Sequence, residues 1–243
     1  MTALLKIEAI QVLRNWTIFI LSIGMTVGFF LLYSGMQMAD NTNQQALFIQ
    51  RYLLTMTSFS MSSFALFTFP FMLQSDKISH YLTYIEHSPV PIWKYYLAKI
   101  IRVLIYFIIA ISVTFTVGIL FRGVSMSLDR WFMSILLLLM TSLVFLAMGL
   151  LLAQIPSSQI LSIAANILFF ALAILGGSWI PISVFPDWMQ VISKITPTYH
   201  ANQVVTTFAE KGELLGKSLL IVFAYAIIIG VVALVVKEKS EVK

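Results

Sequence analysis

Three histidines, one glycine–lysine–serine run and a hydroxyl-rich apolar segment are the residues of this chain that offer chemistry. The run is GELLGKS, Gly212 to Ser218. A phosphate-cradling loop needs four residues between its glycines and a strand before them; here three intervene and no strand pattern precedes them. Lys217 reads instead as an anchor at the start of an apolar run. His80, His87 and His200 occur without an H-E-x-x-H pattern or supporting carboxylates, so neither a metal site nor a catalytic group is expected. The chain has no cysteine, which excludes disulfides and thiolate–metal sites. Thr55, Thr57, Ser58, Ser60, Ser62, Ser63 and Thr68 crowd a single apolar run. Interhelical hydrogen bonding accounts for most such hydroxyls in membranes. The other use is a solute path, for which Thr55, Phe59, Ser62 and, further on, Asn166 are the candidates.

The elements that must position these residues are membrane helices. Of the 243 residues, 60% are hydrophobic and 10% charged, with mean hydropathy +0.95. A soluble domain carries about 25% charged residues. The apolar runs have the length a helix needs to cross hydrocarbon. Six are expected, at about 17–36, 53–73, 100–121, 131–153, 160–179 and 218–236, in one domain covering 1–243. Before them, residues 1–16 place Leu5, Ala9, Val12, Leu13 and Trp16 on one face and Glu8, Gln11 and Asn15 on another, the pattern of an interfacial helix. The first span has no cleavage site after it and is expected to be retained. An even count puts both termini on one side. If that side is cytoplasmic, nine basic residues lie inside and six outside. The net charge of +5 therefore reflects span flanks rather than nucleic-acid binding. No Asp, Glu, Lys or His falls within those six ranges, and Arg102 is placed to snorkel from the inner end of the third. Ion-driven transporters carry ionisable groups inside their spans. A transport function here needs energy from outside the membrane domain.

Two segments break the pattern. Gln74 to Lys99 holds a short helix, Lys77–His87, and a corner at Ser88-Pro89-Val90-Pro91, because residues before proline leave helical geometry. Such a helix either rests on the membrane or docks a soluble partner. In Gly176 to Tyr199, a glycine pair, Pro181, Pro186 and Pro197 interrupt an apolar run, with Trp179 and Trp188 among them. A helix that enters the membrane, turns back and rests at the interface has this composition.

The inner loop TYIEHSPVPIWKYYLAKII, the stretch GGSWIPISVFPDWMQVISKITPTYHANQVV and the six-span layout resemble the ABC type-2 exporter permeases over essentially the whole chain. The resemblance implies an all-α integral membrane protein with six transmembrane helices, an N-terminal interfacial helix, a cytoplasmic coupling helix and an outer re-entrant helical segment after the fifth span. It implies that Tyr84, Ile85, Glu86, His87, Ser88, Pro89 and Val90 meet a cytoplasmic ABC ATPase, with Gln154, Pro156 and Ser157 as a second contact. Gly176, Gly177, Trp179, Pro181, Pro186, Trp188 and Pro197 would build the outer gate. The interior faces of the second and fifth spans would line a path between two permease subunits, identical or homologous. ATP and Mg would be bound by two copies of the ATPase, with no cofactor in this chain. The protein would sit in a bacterial plasma membrane, both termini cytoplasmic, and export a drug, antimicrobial peptide or lipid-like amphiphile; sodium and polysaccharide are the other family cargoes. An intramembrane enzyme would need a catalytic constellation at membrane depth, and a non-transporting scaffold would not need the proline-broken segment.

Overall fold

The computed structural model describes residues 2–37 and 41–241. Lys243, one of the basic residues counted in the tail, lies outside the described residues. The described chain is helical without strands. Its elements are α1 (Thr2–Arg14), α2 (Thr17–Ser34), α3 (Thr42–Ser63), a π-helical turn (Phe64–Thr68), α4 (Phe69–Ile78), α5 (Tyr81–Glu86), α6 (Ile92–Arg122), α7 (Leu128–Thr141), α8 (Leu143–Leu152), α9 (Ser158–Leu175), a 3-10 turn (Ile182–Val184), α10 (Asp187–Ser193), α11 (Pro197–Lys211) and α12 (Gly216–Glu241). Among the described residues, six helical segments are long and apolar enough to cross a membrane: Thr17–Ser34, Thr42–Ile78, Ile92–Arg122, Leu128–Leu152, Ser158–Leu175 and Gly216–Lys239.

The second of these is the axis of the fold. Its 37 residues exceed the expected span because Asn41 caps a polar first stretch, its side chain accepting from the Asn43 N–H. Its most apolar 18 residues are 78% buried, against 24% for those of the first segment, 28% for the fifth and 11% for the last, so the other helices wrap around it. Midway, the Phe69 N–H donates five residues back to the Phe64 carbonyl. Pro70 follows and has no N–H to extend the helix. The resulting π-turn brings the Ala65 carbonyl so close to Gly149 of α8 that a Cβ there would collide with it.

The α1 helix turns its polar stripe toward the bundle. Glu8 and Val12 are buried, while Leu13, Trp16 and Ile10 are exposed. Its polar stripe faces the bundle because Arg102 of α6 needs a partner there: an unpaired buried charge costs far more than exposed leucines beside lipid.

One helix was not expected. In α11, Thr196 caps the Tyr199 N–H, Pro197 takes the first turn, and Gly212, at φ +76°, ends the helix. It packs against α3, α7, α9 and α12. Hydropathy missed it because its buried face is built of Thr198, Ala201, Asn202, Val204, Val205 and Thr206. The GELLGKS run is the connection from α11 into α12.

Candidate functional site

At the end of the bundle that holds α1, two buried bases meet two acids. Lys99 Nζ lies 2.7 Å from both Glu8 Oε1 and Asp76 Oδ2. Arg102 Nη1 donates to Glu8 Oε2 at 3.0 Å and to Gln11, and its Nε donates to the Tyr106 hydroxyl at 2.8 Å. The Tyr95 hydroxyl donates to Asp76 at 2.6 Å. Lys99 and Arg102 are 1% and 3% exposed, so Arg102 does not snorkel to water; it is neutralised inside the protein. The cluster ties α1, α4 and α6 into one block.

The α5 helix hangs from that block. His80, at φ +57°, turns the chain out of α4. Leu82 and Ile85 are buried, whereas Thr83, Tyr84, Glu86 and His87 are exposed. Of the expected contact residues, Ile85 is therefore an anchor and Tyr84, Glu86, His87 and Pro89 form the free surface. Burial, with the Asp76 and Glu8 charges behind it, raises the Tyr81 pKa above its ordinary value. The Ser88 hydroxyl donates to the Ile85 carbonyl at 2.7 Å and accepts from the Val90 N–H at 3.2 Å, which holds the corner before Pro89 and Pro91.

The 153–157 segment is fastened to α4. Gln74 Nε2 donates to the carbonyls of Ile155 (3.0 Å) and Pro156 (3.2 Å). Lys77 Nζ reaches the Ala153 carbonyl and Gln154 Oε1, each at 3.4 Å. The Ser157 hydroxyl caps α9 through the Ile160 N–H. About one turn of α4, Gln74 to Lys77, thus holds both α6 and the 153–157 segment. Glu8, Asp76, Lys99 and Tyr95 were not legible as members of this frame; the only sequence trace was two acids balancing two bases around it.

At the opposite end, α9 stops at Gly176-Gly177. The Ser178 N–H donates to the Ala173 carbonyl and the Gly177 N–H to that of Ile174, with Gly177 at φ +72°, a Schellman ending. Asn202 of α11 pins the break by donating from Nδ2 to the Gly176 carbonyl and the Ser178 hydroxyl, both at 3.0 Å. A Cβ on Gly176 would collide with Thr198, so the close approach needs glycine. Pro181 follows the break; Pro186 starts α10, which leaves Trp188 67% exposed. Pro197 lies apart from these, buried at the start of α11.

Thr55, Phe59 and Ser62 share one face of α3 at spacings of four and three residues. Phe59 stacks on Phe169 of α9 at 4.6 Å and meets Trp179 edge-on at 5.4 Å. Phe29 and Phe170 close on Trp179 from 5.4 and 5.5 Å. This is an aromatic seal. Ser62 bonds back to the Phe59 carbonyl on one side of it. On the other, Thr55, Gly176, Gly177, Trp179 and Pro181 line a cavity of about 740 Å³ together with Tyr52, Asn202 and Glu210. Asn166 does not join them. It lies on the uncovered flank of α9, its amide donating to the Ser162 carbonyl at 2.8 Å.

Long apolar helices around a polar-fastened axis, with a broken fifth span, are what a multi-pass permease offers. A family model described as ABC-2 type transporter matches residues 1–208. The chain belongs to the ABC-2 type transporter family. It is also 27% identical over 234 residues to the Bacillus subtilis (strain 168) protein "Putative transport permease YvfS", with 96% of this chain and 95% of that one covered. Permeases of the ABC-2 type are membrane subunits that lack an ATPase site and associate with an ABC ATPase. Among the described residues, no group of three or more His, Asp and Glu side chains could hold a metal.

Proposed function

We propose that this chain is the permease subunit of an ATP-driven exporter of amphiphilic molecules. The observation that carries the reading is the continuity of α3, the π-turn and α4. Its inner end holds α6 through Asp76 and the 153–157 segment through Gln74 and Lys77, and it leads through His80 directly into α5. Its other half supplies Thr55 and Phe59 to the cavity and the seal. A push on α5 is thereby delivered to a helix that lines the cavity beside the break at Gly176. The π-turn is where a long helix yields without unfolding.

In this reading Tyr84, Glu86, His87 and Pro89 meet the ATPase, with Gln154, Pro156 and Ser157 beside them. Two ATPases bind ATP and Mg on the cytoplasmic side, where both termini lie. The segment from Gly176 to Pro197 is the outer gate, α10 rests at the membrane surface, and α1 lies at the inner one. Asn166 and Ser162, a polar pair on an uncovered helix flank, face a second permease subunit or the path between the two, because an amide facing lipid is costly.

Co-purification with the ABC ATPase in lipid, followed by ATP hydrolysis, tests the proposal. Glu86→Ala or Pro89→Ala is expected to uncouple hydrolysis from the permease while the complex remains foldable, since both side chains are exposed. Coupled hydrolysis that ignores both changes would remove α5 from the energy input.

A further inference from the structure

We infer that the cavity beyond the aromatic seal is a holding site for an uncharged amphiphile with a hydrogen-bonding backbone, an acylated peptide amide being the type. The inference rests on the export reading for its biological sense, but the site itself is argued from the cavity wall.

The charge of the wall cancels. Its charged side chains are Arg51 and Glu210, and they bond each other bidentately, Nε to Oε1 at 2.5 Å and Nη2 to Oε2 at 2.6 Å. Glu210 is nearly buried, its side chain 10% exposed. The two charges are paired with each other within the wall, with the Arg51 side chain 59% exposed. The remaining wall is aromatic and neutral-polar, with Tyr33, Phe48, Tyr199 and Gln203 among its residues. Rings that offer both a face and a hydroxyl suit a ligand with an apolar body and polar links.

The wall also carries an unmet hydrogen-bonding demand. Tyr52 Oη, Trp179 Nε1 and Asn202 Oδ1 are buried and bond to nothing. Tyr52 and Asn202 are each 6% exposed. Native proteins rarely leave such atoms orphaned. Two can donate and one accepts, which is the complement of a secondary amide: a carbonyl with two lone pairs and one N–H. All three are buried in the closed arrangement, so they become available only when the wall moves; turning the Trp179 ring away from Phe59 frees its own Nε1. Ligand entry and opening of the seal are then the same movement, and Asn202, which already pins Gly176, reports it to the break.

The test uses the purified chain in lipid nanodiscs without an ATPase, so its failure is separable from failure of the export reading. The probes are N-octanoyl-glycyl-leucinamide and its free carboxylate, N-octanoyl-glycyl-leucine, titrated calorimetrically with empty nanodiscs subtracted. The amide is expected to bind about tenfold more tightly than the carboxylate, and Tyr52→Phe or Trp179→Phe to lose about tenfold of amide affinity, one hydrogen bond's worth. Tyr52→Phe removes a buried unpaired group and should leave the thermal midpoint equal or higher, whereas Trp179→Phe also gives up ring contacts of the seal and should lower it. Glu210→Gln frees Arg51 and is expected to reverse the preference toward the carboxylate. Equal affinity of the two probes for the native chain, indifference of amide binding to both aromatic variants, or absence of probe binding overturns the proposal.

Discussion

At the scale of single residues, the structure is governed by what cannot be left unpaired. Lys99 contacts two carboxylates and lies over the rings of Tyr95 and Tyr81 at 5.4 and 5.8 Å. Lys99→Met leaves Glu8 and Asp76 short of a cation in a buried site, and breaking such a pair costs about 3–5 kcal/mol. The expected result is a clear fall in thermal midpoint of the solubilised protein, followed by size-exclusion fluorescence. Gly149→Ala forces a methyl onto the Ala65 carbonyl at the π-turn and is expected to cost about 1–3 kcal/mol by the same assay. By contrast, Gly24 and Gly28, spaced for close helix approach, meet nothing within 4 Å in this chain. His200 makes a pH prediction. Burial, then the Lys217 charge, lowers its pKa below the usual histidine value, against a backbone hydrogen bond that raises it. The folded state therefore prefers neutral imidazole. Its stabilising preference is complete above the unfolded value near 6.5 and is lost as pH falls through that value toward the lower folded one. The thermal midpoint should drop over that window, and His200→Gln should flatten the drop.

At the scale of elements, periodicity located the membrane helices and missed α11. The six apolar segments were legible because crossing hydrocarbon demands length and hydropathy, both local properties. The facing of α1 was not, because its amphipathic pattern is satisfied equally by polar-out and by polar-in packing. Arg102, 94 residues from Glu8, decides between them. The α11 helix was hidden by its threonines and Asn202, which are buried only because α3 and α9 bring partners to them. The Ser88 corner was legible in its prolines, while its two hydroxyl bonds were not. Ser88→Ala removes both and is expected to loosen α5 by about 1 kcal/mol per bond. Faster amide exchange confined to residues 81–90 would register it; unchanged exchange would mean that the prolines alone hold the corner.

At the scale of the molecule, one long helix joins two ends that the sequence treats as separate motifs. The loop at Tyr84–Val90 and the break at Gly176–Pro181 lie far apart in the chain, yet both depend on the 37-residue segment Thr42–Ile78. This makes a molecular prediction: Gly149→Ala, placed at the π-turn midway, should weaken coupling between ATPase contact and cavity more than its cost in stability explains. Probe affinity measured with and without the nucleotide-bound ATPase checks it; equal coupling in a folded variant would make the π-turn a packing feature only. From the sequence alone follow the membrane class, the number of spans, the proline and glycine breaks and the family, because these rest on composition, local backbone geometry and motif order. Only the tertiary structure decided the seating of α1, the insertion of α11, the Phe59–Phe169–Trp179 seal and the neutral cavity behind it. Each of these is a choice of partner across the fold, and no local preference encodes which buried charge, ring or carbonyl will be met on the other side.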